Sequence, residues 1–106
     1  MLKIPLDRDA YFQQSFELSP DYRIQITFRF NSIATDWMID VFDYHLQRYV
    51  AQGVALVVGV PLLWRHPIDY FFLLNDLSGL DIDPFSVNDL ANRFEFYVLM
   101  KNELKA

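Results

Sequence analysis

The chain has 106 residues, of which 53% are hydrophobic and 17% aromatic, with ten Phe and six Tyr. That is the composition of one folded domain, residues 1–106, and it excludes a disordered or low-complexity chain. A formal net charge of -5 and zero cysteines argue against a phosphate-binding surface and rule out disulfides, thiolate nucleophiles and zinc–sulfur sites.

Residues 1–8 read as a short N-terminal arm. Its Lys3–Leu6 stretch, KIPL, carries Ile4 and Pro5 and suits an edge strand or a clamp against a neighbour. The opening lacks the apolar core of a signal peptide and holds Asp7 and Asp9. Tyr11–Leu18 alternates, with Phe12, Phe16 and Leu18 on one parity and Gln13, Ser15 and Glu17 on the other. Ser19, Pro20 and Asp21 make a turn, because proline fixes φ and aspartate bonds to nearby backbone. Tyr22–Phe30 alternates without a break. Tyr22, Ile24, Ile26, Phe28 and Phe30 face one way, and Arg23, Gln25, Thr27 and Arg29 the other. A period of two is the mark of a strand with one buried face. The two runs therefore form an antiparallel hairpin.

After the break at Asn31–Asp36 comes Trp37–Tyr44. As a strand it sets Trp37, Ile39 and Val41 against Met38, Asp40 and Phe42; as a helix it lines up Ile33, Trp37, Val41 and Tyr44. The strand is preferred, because Trp, Ile, Val, Phe and Tyr suit pleated surfaces. His45–Tyr49 is the turn and its return. Val50–Val60 is an apolar strand whose Gly53 and Gly59 suit a bulge or close backbone approach. Pro61–Pro67 leaves the strand and sets Trp64 near a sheet edge. Ile68–Gly79 is a strand or short helix whose crowded Tyr70, Phe71 and Phe72 must in part lie against another element. Leu80–Asn92 has loop composition, with a helical turn starting near Ser86 or Val87. Arg93–Lys101 alternates again, and residues 102–106 form a tail that should fray. The longest apolar run, Val54–Trp64, is about half a membrane span, so no membrane crossing is expected. The fold class is all-β: a small antiparallel barrel or sandwich of five to seven strands.

Chemistry is scarce. Asp36, Asp40 and Asp43 would share a face on a helix and could hold a cation there. On a strand Asp43 faces away from the other two, and all three read as solvent-facing or turn-capping groups. Asp81, Asp83, Asn88 and Asp89 lack the spacing, the central glycine and the final glutamate of a calcium loop. His45 and His66 alone cannot fill a zinc site, and no serine sits in a nucleophile elbow. No enzyme, metal or cofactor is expected. Surplus aromatics point instead to a protein partner. Trp37 belongs to the core. Trp64, Tyr70 and Phe71 are the contact candidates, since buried aromatics dominate binding at contact centres. Arg65, beside His66, adds a small positive spot, and Ile4 represents the arm.

The order FELSPDYRIQITFRFNSIATDWMIDVFD, GVALVVGVPLLW and FEFYVL resembles small hub- or plug-type baseplate proteins of contractile-tailed bacteriophages. The shared features are the strand ending in Phe30–Asn31 and the Trp37, Asp40 and Asp43 pattern. Gly59 before Val60–Leu63 and the Asp83–Pro84 turn complete the set. Family members often carry tryptophan where this chain has Phe30, and a glycine where it has His45–Arg48. The resemblance implies a structural virion part, assembled in the host cytoplasm and working through contacts with other tail and baseplate proteins. Self-association is open, and nucleic acid is not a partner. The competing reading is a free-standing ligand-binding module with an aromatic pocket.

Overall fold

The computed structural model describes residues 2–80, 82–86 and 89–104. Its strands are β1 (Leu2–Ile4), β2 (Tyr11–Ser19), β3 (Tyr22–Asn31), β4 (Asp36–Asp43), β5 (Arg48–Ala55), β6 (Tyr70–Asp76) and β7 (Phe94–Met100). A short helix α1 (Asp89–Arg93) precedes β7, and a 3-10 turn covers Lys101–Leu104. A four-stranded sheet runs in the order β2-β3-β4-β5, a three-stranded sheet in the order β1-β7-β6, and every named pairing is antiparallel. Two sheets facing across one hydrophobic core make a sandwich rather than a closed barrel.

The alternation in β3 sets the inner layer. Ile24, Ile26 and Phe28 are fully buried, while Tyr22 and Phe30 are half-buried at its ends. β4 is the preferred strand and not a helix: Trp37, Ile39 and Val41 are enclosed. Phe12 of β2 stacks on Phe28 at 4.5 Å, Phe28 meets Phe96 of β7 edge-on at 5.6 Å, and Phe96 stacks on Phe72 of β6 at 5.4 Å. This row of rings crosses from one sheet to the other. Each buried phenylalanine removes enough apolar surface from water to stabilise the fold by about 2–3 kcal/mol.

Turns follow their residues. Pro20 and Asp21 close β2–β3, with Asp21 in the left-handed region at φ 67°. The Asn31 carboxamide accepts hydrogen bonds from the Ile33 and Ala34 amides and holds the β3–β4 turn. The strand expected over Val50–Val60 is shifted, starting at Arg48 and ending at Ala55. Gly53, at φ 65°, sits in a bulge where the β4–β5 register slips, after which Val54 and Ala55 pair with β4 again. The next residues leave β4 for the edge of β6, where Val58 bridges Leu74 and Leu62 bridges Phe72. The helix expected near Ser86 or Val87 starts at Asp89; Val87 itself lies outside the described residues. Of the KIPL segment, Lys3 and Ile4 lie in the edge strand β1 while Pro5 and Leu6 follow it, and the Lys3 ammonium meets the Glu95 carboxylate at 2.6 Å. Of the tail expected over 102–106, residues 105 and 106 lie outside the described residues.

Candidate assembly surface

Residues 60–66 form a turn held from below by β6. The Gly59 amide donates to the Leu74 carbonyl at 3.1 Å, and Leu62 exchanges backbone hydrogen bonds with Phe72 at 2.8 and 3.0 Å. Leu63 takes φ 66°, and its carbonyl accepts from the His66 amide at 3.1 Å. Leu62 and Leu63 are buried as the turn's anchors, while Val60, Pro61, Trp64 and Arg65 project outward. The result is an open apolar concavity of about 450 Å³ on a firmly attached segment.

Trp64 is 41% exposed. Its ring stands edge-on to Phe71 at 5.0 Å, and the Lys101 ammonium lies 5.4 Å from its centroid while donating to the His66 carbonyl at 2.9 Å. An edge-to-face ring contact and a nearby cation fix the indole without hiding it.

The remaining surface candidates are enclosed by the chain's own packing. Phe71 is 2% exposed on the outer side of its sheet, beneath Trp64. Tyr70 is fully buried and Ile4 is 2% exposed, both in the core cluster. The alternation of β6 explains the split, since Tyr70 and Phe72 point inward and Phe71 outward.

The aspartates do not converge. Asp40, on the outer face, accepts from the Arg29 guanidinium at 2.9 Å and from the Gly53 amide at 2.7 Å, fastening the bulge. Asp43 faces away from it, as the strand reading requires, but it points into the core rather than to solvent. Its carboxylate accepts from the Tyr22 and Tyr70 hydroxyls, both at 2.8 Å, and from the Leu46 amide at 2.9 Å. Burial first, then the hydrogen bond to Asp43, pushes both phenols above their ordinary pKa.

Asp81 and Asn88 lie outside the described residues. Asp83 accepts from the Val58 amide at 2.8 Å, and Asp89 accepts from the Phe85 amide at 3.2 Å, so both are loop fasteners. Among the described residues no group of three or more His, Cys, Asp or Glu could hold a metal ion. His45 stacks on Tyr22 at 4.7 Å, far along the chain from the His66 turn.

Residue patterns missed a second apolar surface. Leu77, Leu80, Ile82 and Phe85 are exposed on the loop before α1, beside a groove of about 430 Å³ lined partly by Leu6, Leu77, Ala91 and Phe94. Arg93 organises this loop, with Asp76 at 3.3 Å, the Ile82 carbonyl at 2.5 Å and the Phe85 ring at 5.6 Å. Burial opposes ionisation of Asp76, yet hydrogen bonds from Ser78 and Ile82 with the Arg93 charge hold its pKa below the usual value. The available signal was four large apolar residues scattered among turn formers, where no core strand would need them.

The whole pattern is that of a small sandwich with apolar turns, in which Asp40, Asp43, Asp76, Asp83 and Asp89 fasten strands and loops. Comparison with curated proteins gives no match. A family model described as cyanophage baseplate Pam3 plug gp18 matches residues 1–101. The chain belongs to this baseplate plug family, whose members are structural parts of a phage tail rather than enzymes.

Proposed function

We propose that this chain is fixed in the baseplate by a protein–protein contact centred on Trp64, with Arg65 at its rim. The carrying observation is the exposed indole held in place by Phe71 and Lys101. A large aromatic ordered before binding loses little conformational freedom on contact, so its burial yields net affinity. Val60 and Pro61 extend the apolar area, and Arg65 offers a charge to an acidic rim. Tyr70 and Ile4 act from within: one ties the sheets together, the other seats the arm. The loop carrying Leu77 and Phe85 supplies a second contact.

The test is capture of the products of genes adjacent to its own by the purified full chain. Trp64→Ala should weaken capture of a tail component at least about tenfold, and Arg65→Glu by less. Unchanged capture by both variants, with folding intact, removes the Trp64 turn from the interface.

A further inference from the structure

Two sheets have four edges, and three of them are blunted. β1 spans only Leu2–Ile4 and is followed by Pro5. β6 is covered by the bridges from Val58 and Leu62. β5 is broken by the slip at Gly53. Such devices keep a sheet from adding strands. β2 has none of them over Tyr11–Glu17: its register against β3 is unbroken, it holds no proline or basic residue, and among the described residues no strand lies on its far side. Its one irregularity falls between Glu17 and Ser19.

The direction of the free backbone groups follows from one hydrogen bond. The Phe30 amide donates to the Ala10 carbonyl at 2.8 Å, which places the even residues of this strand in the bonded pairs with β3. The amides and carbonyls of Tyr11, Gln13, Ser15 and Glu17 therefore point outward. Their side chains are exposed as well.

We propose that this edge pairs antiparallel with the same edge of a second copy, about a two-fold axis through Gln14, so that two four-stranded sheets become one. The occupant is argued from the strand's own symmetry. Phe12–Phe16, FQQSF, has the same polarity read from either end about Gln14, and only the outermost pair, Tyr11 and Glu17, differs. On the core side Phe12 meets Phe16 of the second copy, and Gln14 meets its own equivalent. On the outer side Gln13 meets Ser15 and Tyr11 meets Glu17. No charge faces a like charge, because Glu17 is the only charged residue in the stretch. All the outward backbone groups of Tyr11, Gln13, Ser15 and Glu17 find partners. An axis through Ser15 would set Tyr11 against the irregular Ser19, and one through Gln13 would leave Glu17 unpaired. Half-buried Phe16 gains a covering ring. An edge that satisfies itself is what a two-fold contact requires.

Sedimentation equilibrium of the full chain should give twice its 12.6 kDa mass. Ser15→Pro removes an amide that β3 does not use, so it should give a monomer with an unchanged circular dichroism spectrum. The cysteine-free chain permits a test of register. Facing non-hydrogen-bonded residues stand about 4.5 Å apart at Cα, within disulfide reach. Gln14→Cys should oxidise to a covalent dimer, and Gln13→Cys, which faces Ser15, at least about tenfold more slowly. Should Ser15→Pro unfold, the cysteine pair decides. A wild-type monomer at about 100 μM, where a contact of about 5 kcal/mol or more would already hold much of the chain as dimer, overturns the proposal; the edge would then await a strand of another protein. A dimer untouched by Ser15→Pro, or equal cross-linking at both positions, overturns it too. Trp64→Ala should leave the dimer intact, which separates this outcome from the Trp64 contact.

Discussion

Asp43 is the residue on which the two sheets agree. It stands on β4 of one sheet and accepts from Tyr70 on β6 of the other and from Tyr22 beside it. Asp43→Ala would strand two hydroxyls, one fully buried, and should lower unfolding stability in urea by about 3 kcal/mol. Tyr70→Phe removes only one donor and should cost less. The raised phenol pKa values carry a pH dependence whose sign is fixed. A tyrosine whose folded pKa lies above its ordinary 10.0 stabilises the fold fully below pH 10, and that contribution is lost as pH rises toward the folded value. Stability should therefore fall above pH 10. An ultraviolet titration should find Tyr22 and Tyr70 ionising only as the chain unfolds. Tyrosines that all titrate near pH 10 in a folded chain would contradict this.

At the scale of elements, the β5 bulge rests on one glycine. Gly53 holds φ 65°, and a Cβ there would lie 3.4 Å from the Met38 methyl, an acceptable contact. The cost of Gly53→Ala therefore comes from backbone conformation and not from space. It should be about 1 kcal/mol in urea unfolding, with Gly53→Asn milder because asparagine tolerates the left-handed region. Asp40, bonded to both the Gly53 amide and Arg29, fastens the same bulge from β4. That pairing accounts for an aspartate which, taken along the chain alone, looks like part of an acidic cluster.

For the molecule as a whole, the two tryptophans differ in burial and so in what they give to stability. Trp37 is fully buried, and its indole N–H donates to the Ser86 carbonyl at 3.0 Å, tying the loop to the core. Trp37→Ala should cost about 3–5 kcal/mol, a large share of the stability of so small a domain. Trp64→Ala should leave thermal unfolding nearly unchanged. In the intact chain, acrylamide should quench Trp64 fluorescence and spare Trp37; equal quenching of the two would refute the division.

The strands were legible wherever one face was buried and the other wet. β2, β3 and β7 follow the alternation of their side chains almost residue for residue, and the Pro20–Asp21 turn follows its backbone preferences. Those properties are local, so neighbours in sequence carry them. The family resemblance was legible too, because it rests on the same ordered strands and turns. What lay out of reach were matters of facing. Tyr70 and Phe71 are adjacent aromatics, yet one bonds to Asp43 in the core and the other lies outside under Trp64. Asp43 became a buried acceptor only because a hydroxyl arrived from the second sheet. Composition and period state which side chains seek cover. Which partner supplies it depends on how the sheets are stacked, and that is fixed by contacts between residues distant along the chain.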